Sequence, residues 1–474
     1  MAVISYIFIF LSTIVFSVVW FLHYIMGNNN FYEDSYMFMH SIKANGSLTT
    51  FLYSAKSCLL IFSVILLALI LINTFVFNTA KKKFIFSTIT ILVSICLLLM
   101  SVHFGTYLIN SFLSTNIYEK YYVDTNSVKI TFPKKKKNLI IIYLEGMEAS
   151  LFSKSNGGAF EKSRIPELES IALNNTNFSN TEKLGGAYTL NNSSCTIFSL
   201  VTSTSGTPVY ARLFYSYNDK NPYMRNVKSL GNVLRENGYN LGLIQGSSIK
   251  FSATDYYLKE NGDFEVFDDD TAKSRGYIDK NYSVWWGMED KKTLEYSKKE
   301  ILNMAKKDKP FAYIIFTTDT HFPDGYIDET CEEVFDEYLS NSYACSSKIV
   351  GNYIEWIKSQ DFYKNTTIFI MGDHTIKQES FYKEHKDYNR VNYNAIINSS
   401  VEGNNKNRQF SQFDMYPTIL ASIGAKIDGD RIGFGVNLFS KEKTMIEILG
   451  KEKFDNEMFK KSDYYNKHIL SNDK

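Results

Sequence analysis

Three apolar runs dominate the first quarter of the chain: Ile4–Ile25, Phe51–Phe77 and Phe84–Phe112. Each exceeds the roughly 20 residues a helix needs to cross about 30 Å of hydrocarbon. None shows the polar face of a helix packed on a soluble core, so all three read as membrane spans. The first lacks a basic leader and a small-residue cleavage site, and two more spans follow it. It therefore reads as an anchor, not a removed signal peptide. The short loop Asn78–Lys83 carries Lys81, Lys82 and Lys83, whereas Met26–Thr50 holds Glu33, Asp34 and, as its one Lys or Arg, Lys43. Lysine-rich loops stay in the cytoplasm. The triplet is thus expected inside, with the N-terminus, and everything after Phe112 outside. Lys134–Lys137 lies well past the last span, beyond the reach of that rule, and reads as a solvated linker end. His103 falls within the third run, where a polar group packs or caps.

Beyond the spans the composition becomes that of a globular domain. The 474 residues carry a net charge of +1, which gives no broad attraction for nucleic acid. Cys58 and Cys96 sit in the spans as apolar fillers. Cys331 and Cys345 fall in the part expected outside, where a disulfide can persist, although two thiols are the alternative. A bridge there would close a loop containing the acidic segment Glu332–Glu337. Cys195 stands outside that pair.

The stretch Asn138–Glu145 (NLIIIYLE) is a short unbroken apolar run ending in a carboxylate. Such runs form strands buried on both faces, as in parallel sheets. Two more follow the same pattern. Phe311–Phe316 runs into Thr317-Thr318-Asp319-Thr320-His321, and Thr367–Met371 runs into Gly372-Asp373-His374. Open α/β sheets bind ligands at the carboxyl ends of their strands, so these three termini are expected to share a site. Between them, helices are expected from Ile165 to about Leu173, over Asn226–Asn237, Lys291–Lys307 and Lys348–Lys358, and late in the chain over Gln412–Ile423. A further strand is expected at Asn240–Ile244. The alternation predicts a doubly wound α/β sheet. The organisation expected is a membrane anchor over 1–112, a connector over 113–137, a catalytic domain over 138–440 and a charged tail over 441–474, a surface helix followed by disorder.

Glu145, Asp373 and His374 supply two carboxylates and an imidazole, a donor set that suits Mn²⁺ or Zn²⁺ better than Mg²⁺. Thr196 opens an apolar run after a small polar loop, placing its hydroxyl at the positive end of a helix. It could complete the metal shell and serve as a nucleophile, or simply cap the helix. His321 ends its strand beside the same edge and could bind phosphate or protonate a leaving oxygen. His385, among charged neighbours, reads as solvent-exposed.

NLIIIYLEGME, the Thr196 segment, TTDTHFPDG, FIMGDH and FDMYPTILASIG occur in an order that resembles the sulfatase-like branch of the alkaline phosphatase superfamily. The likeness spans about Asn138–Leu438 and is nearest to membrane-anchored phosphoglycerol transferases, with lipoteichoic acid synthases more distant. It implies Glu145, Thr196, Asp373 and His374 as metal ligands, Thr196 also as nucleophile, and His321 as a substrate-binding histidine. Gln245–Asp255 lacks the Trp and Arg with which lipoteichoic acid synthases hold glycerol phosphate, leaving Gln245 and Lys250 as the binding candidates there. Cys195-Thr196-Ile197-Phe198-Ser199 lacks the Pro and Arg of the sulfatase motif that matures a Cys to formylglycine.

The resemblance implies a bacterial cytoplasmic-membrane enzyme with several spans and its catalytic domain on the periplasmic or extracytoplasmic side. Its expected reaction moves phosphoglycerol from phosphatidylglycerol to a cell-envelope glycan through a phosphothreonine, with one divalent metal, Mn²⁺ first. The alternatives are phosphoethanolamine transfer to lipopolysaccharide or another glycan, a sulfatase or phosphodiesterase, and an inactive glycan-binding scaffold. A phospholipid donor, a glycan acceptor and the membrane are the expected partners, and nucleic acid is not.

Overall fold

A computed structural model describes residues 1–26, 31–41, 47–212, 215–218, 220–403 and 406–471. It divides into two compact units. One comprises Met1–Ser114, Ala211–Ser216 and Phe459–Lys461, and the other Thr115–Tyr210, Tyr217–Met458 and Ser462–Lys474.

Among the described residues, the first unit holds three helices long and apolar enough to cross a bilayer, with candidate spans at Ala2–Phe21, Cys58–Val76 and Ala80–Met100. Their polarity is inverted relative to a soluble bundle. Leu59, Leu67, Ile89 and Leu92 face outward, while Ser5, Asn73, Ser87 and Ser94 are buried. The Ser5 hydroxyl donates to the Asn73 side chain at 3.2 Å and to the Lys83 carbonyl at 2.9 Å. Small polar residues between helices and aliphatic residues outside are what a lipid surround selects.

Two sequence expectations change here. The run Phe84–Phe112 is not one helix: Ala80–Met100 ends in a 3₁₀ turn at Ser101–His103, and a new helix runs over Phe104–Phe112. His103 takes a left-handed conformation (φ 58°) at the break, and Gly105 approaches the turn so closely that a Cβ would lie 2.7 Å from the Leu99 carbonyl oxygen. The loop before the second span also contains a helix, Phe31–Ser41. Phe31 packs 4.9 Å from Phe104 and 4.7 Å from Tyr107, and Tyr32 stacks on Phe459 at 3.6 Å.

The second unit is built on a six-stranded sheet: β1 (Asn138–Leu144), β2 (Asn240–Gln245), β3 (Glu265–Phe267), β4 (Phe311–Phe316), β5 (Thr366–Gly372) and β6 (Asn394–Ile397). Its order is β3-β2-β4-β1-β5-β6, parallel except for the β5–β6 pair. Every residue of β1, β4 and β5 is buried, which explains their unbroken apolar sequences. Helices cover both faces. Tyr143 points to one face, where its hydroxyl meets Ser203 of the Thr196–Ser205 helix at 2.7 Å. On the other face Asp290–Ala305 and Tyr338–Lys358 pack together, with the Ser297 hydroxyl donating to Tyr353 at 2.7 Å. This is the expected α/β sheet.

Register then decides what meets what. Leu144 pairs with Gly372 and Tyr143 with Phe316. The residues that follow, Glu145, Asp373 and Thr317, therefore emerge side by side at one edge. The stretch expected as a connector adds Ile117–Tyr121, with Tyr118 buried 5.0 Å from Phe434, and Ile130–Thr131 pairs with Lys426–Ile427. The segment expected as a charged tail instead folds back through the helices Met445–Leu449 and Lys451–Met458. Phe454 anchors it, fully buried 5.4 Å from Phe413 and 5.5 Å from Phe434.

Candidate metal centre and active site

Glu145 leaves β1 buried, its N–H donating to the Thr317 hydroxyl at 3.0 Å and its carbonyl accepting from Thr320 at 2.6 Å. Asp373 leaves β5 one strand away. Its Oδ1 accepts from the N–H groups of Gly146 (2.9 Å) and His374 (2.8 Å), which turns Oδ2 toward Glu145. Glycine is needed just before it, because a Cβ on Gly372 would sit 1.9 Å from the Met147 carbonyl oxygen.

His374 donates from Nδ1 to the Thr375 carbonyl at 2.9 Å. That bond orients the ring so that Nε2 faces the carboxylates, 3.3 Å from Glu145 Oε1 and 3.5 Å from Asp373 Oδ2. Thr196 is the first residue of its helix. Its hydroxyl donates to Asp373 Oδ2 at 2.8 Å and lies 3.3 Å from Glu145 Oε2.

One ligand atom from each of Glu145, Asp373 and His374 lies within 4.8 Å of the other two, and all three residues are buried. Two carboxylates packed this closely away from water repel each other. Burial and the charge of Glu145 push Asp373 well above the usual aspartate range. Burial would also raise Glu145, but the attraction of the His374 imidazolium outweighs it and holds that carboxyl low. His374 goes up: burial opposes its charge, and the Asp373 and Glu145 carboxylates prevail. Two convergent carboxylates and an imidazole lone pair, with a hydroxyl at hydrogen-bond distance, fit a divalent cation, which would neutralise the repulsion and polarise the Thr196 oxygen.

His321 is half-buried beside this cluster. Its Nδ1 donates to the Phe322 carbonyl at 2.6 Å, and its ring stacks on Phe322 at 4.7 Å. Burial lowers its pKa, with the Glu145 carboxylate opposing. Gln245 ends β2 at the same edge and turns its amide to Ser247. Lys250 points elsewhere, forming a 3.0 Å ion pair with Asp270. Cys331 and Cys345 are joined in a disulfide. His385 packs edge-on against Phe160 at 4.5 Å.

Sequence reasoning passed over three contributors. Gln412 donates to the Ser199 hydroxyl at 2.7 Å, the Gly372 carbonyl at 3.2 Å and the Asp373 carbonyl, tying the Thr196 helix to the end of β5. Lys377 lowers Glu145, His374 and His321 alike through its charge. Trp286 lies 4.3 Å from the His321 ring. Lys377 was within reach of the sequence, being the first cation behind the GDH motif. The other two arrive from distant segments.

The model of the Sulfatase family matches residues 137–425, more than half of the chain. The chain belongs to that family. Among curated proteins it is similar to phosphoglycerol transferase I of Escherichia coli (strain SMS-3-5 / SECEC), 29% identical over 275 residues, covering 56% of this chain and 34% of that protein. The match thus spans about a third of those relatives' length. Among solved structures it is similar to the lipoteichoic acid synthase LtaP from Listeria monocytogenes (19% identity, TM-score 0.49, covering 68% of this chain and 81% of that one). It is also similar to the lipooligosaccharide phosphoethanolamine transferase A of Neisseria meningitidis (14% identity, TM-score 0.46, covering 78% and 75%).

Proposed function

We propose that this sulfatase-family chain is a membrane-anchored phosphotransferase, moving a phosphoglycerol headgroup from phosphatidylglycerol to a hydroxyl of a cell-envelope glycan. The 2.8 Å hydrogen bond from Thr196 to Asp373, at the mouth of the Glu145–His374 cluster, carries this reading. It gives a helix-terminal hydroxyl a proton acceptor where negative charge on a phosphoryl oxygen would be stabilised. Glu145, Asp373 and His374 would hold one divalent metal, Mn²⁺ in the first instance, supplying charge neutralisation to the phosphoryl group.

In the first displacement the Thr196 oxygen bonds to phosphorus, its proton passes to Asp373, and the diacylglycerol oxygen leaves with a proton from His321. In the second, the acceptor hydroxyl gives its proton to His321 and bonds to phosphorus, and the Thr196 oxygen departs and regains its proton from Asp373. His321 resists protonation when buried alone, so its imidazolium forms once the phosphodiester's negative charge lies beside it. The three spans would lie in the cytoplasmic membrane with the sheet domain outside. Lys81–Lys83 and the Cys331–Cys345 bridge both support that topology.

The test is mass spectrometry of the full chain after brief exposure to phosphatidylglycerol with Mn²⁺. A glycerophosphoryl adduct on Thr196 is expected, and Thr196→Ala should lose the adduct and about 10³-fold or more of transfer. An ethanolamine phosphate adduct from phosphatidylethanolamine would replace the donor. No adduct with either lipid would overturn the reading.

A further inference from the structure

Val284, Trp285, Trp286 and Gly287 close a tight turn, Gly287 N–H bonding to the Val284 carbonyl at 3.2 Å and Val284 N–H to the Gly287 carbonyl at 2.7 Å. The two central places of such a turn normally go to Asn, Asp or Gly. Here both are tryptophan, and Trp285 has a φ of +57°, which bulky residues avoid. Their side chains remain 38% and 41% exposed. A strained turn presenting two large apolar rings to water does nothing for the core, and such strain clusters at binding sites.

The turn is also fixed in place. Met288 N–H bonds to the Gly246 carbonyl at 2.9 Å, so the turn leans on the end of β2, and a Cβ on Gly287 would stand 2.2 Å from that same oxygen. Behind it, the Asp290 N–H donates to Asp319 Oδ2 at 3.0 Å and the Thr318 N–H to Asp290 Oδ1 at 2.6 Å. Both carboxyl groups are buried. These bonds hold the Trp turn against the segment that carries His321. A row of rings results: Phe251 lies 6.1 Å from Trp286, Trp286 lies 4.3 Å from His321, and His321 stacks on the exposed Phe322 at 4.7 Å.

The surroundings decide between occupants. Next to Phe251 stand the exposed Lys250–Asp270 ion pair and Ser248, whose hydroxyl donates to Asp270 at 2.9 Å. Acyl chains reject such charged neighbours. A sugar ring, with a C–H face and a hydroxyl edge, suits a flat ring bordered by carboxylate and hydroxyl groups.

We propose that the Trp285–Trp286 turn, with His321 and Phe322, is a platform that stacks a hexopyranose ring of the glycan acceptor and presents its hydroxyl to the Thr196 site. The inference rests on the transferase reading for its purpose, but its test does not depend on turnover. Full-length Thr196→Ala protein in a sugar-free detergent is titrated with a β-linked glucohexaose and with a hexosamine oligomer, followed by tryptophan fluorescence and calorimetry. The turn carries two of the four tryptophans, so ring stacking is directly visible.

Binding of at least one oligomer, weakened about tenfold or more by Trp286→Ala and by Trp285→Gly (which tolerates the positive φ) and restored by Trp286→Phe, is the expected result. Equal affinity in the variants, or no binding of either oligomer, overturns the proposal. So does a Trp-dependent affinity for anionic phospholipid vesicles in place of sugar. If the variants lose sugar while unsubstituted protein forms no phosphothreonine with any lipid, the platform stands and the transferase reading falls.

Discussion

Arg390→Met is the perturbation whose cost can be worked most directly from the structure. Glu148 lies just beyond β1 with its side chain completely buried, and Arg390, 21% exposed, is its cationic partner. The guanidinium Nε lies 3.1 and 3.0 Å from the two carboxylate oxygens, Nη2 lies 2.6 Å from Oε2, and the fork rests 3.8 Å above the Tyr382 ring. Glu148 Oε2 also accepts the Ile376 N–H at 2.9 Å, so the pair grips the chain directly after His374. Methionine keeps much of the stem's packing and removes the charge together with the guanidinium donors. The carboxylate left behind has no water to replace the lost donors, a situation that costs about 3–5 kcal/mol. For a domain of this size that corresponds to a melting temperature lower by roughly 4–7 °C. Differential scanning fluorimetry of the full chain with excess chelator, which removes any metal contribution, measures it. Adding Glu148→Gln to Arg390→Met should recover part of the loss, because the stranded charge is then gone. A shift under 2 °C for Arg390→Met, or a double variant no better than the sum of the singles, would refute the account.

The Asp373 and Glu145 carboxylates raise the pKa of His374. A divalent cation bound there would displace a proton from His374, so metal affinity should climb with pH through the neutral range, with proton release seen by calorimetry in two buffers. Mn²⁺ is expected to raise the melting temperature, and Asp373→Asn or His374→Ala to abolish that rise. Burial raises Asp414 to about 7, so its neutral form is favoured in the fold and its contribution, on the order of a few kcal/mol, is lost as pH rises from about 4 toward 7. Asp414→Asn should flatten that decline in thermal scans relative to the unsubstituted protein. Reducing the Cys331–Cys345 bridge frees a loop with a sequence separation of 14, worth about 3 kcal/mol of chain entropy, and Cys345→Ser should melt lower by a comparable amount without losing Mn²⁺ binding.

The candidate metal cluster was legible because Glu145 and the Asp373–His374 pair follow strands whose burial on both faces leaves an unbroken apolar run. What stayed hidden did so for identifiable reasons. The helix Tyr338–Lys358 starts ten residues before its apolar period becomes visible at Lys348. Its first half buries hydroxyls: Ser340 accepts from Arg164 at 3.0 Å, Ser342 donates to the Asp319 carbonyl at 3.1 Å, and Ser347 donates to Glu167 at 2.7 Å. A pattern rule that equates burial with apolarity reads such a face as solvent-exposed. Glu265–Phe267 and Asn394–Ile397 are too short to show any period, and as the outer strands they depend on neighbours already in place. The Trp285–Trp286 turn breaks the composition rule for turns, so sequence gives no warning of it. Phe454 lies in a segment rich in Lys, Glu and Asp, where one buried ring among charges goes unnoticed.

This division follows from how the centre is assembled. Side chains on a strand alternate faces, so a slip of one residue between β1 and β5 would exchange the Leu144–Gly372 pairing for one that carries Asp373 away from Glu145. Both faces of these strands are packed, hence no slipped register keeps the apolar residues in place, and the candidate metal ligands inherit the precision of the core. Thr196 has no such protection, since it comes from a helix on one face. Its position is secured by Gln412, which bonds both to Ser199 in that helix and to the backbone at the end of β5. The ligands are thus fixed by hydrophobic burial, which sequence reveals. Thr196 is held by polar bonds that cross the domain, from Tyr143 to Ser203 and from Gln412 to Ser199 and the end of β5, and only the folded chain shows why that glutamine is there.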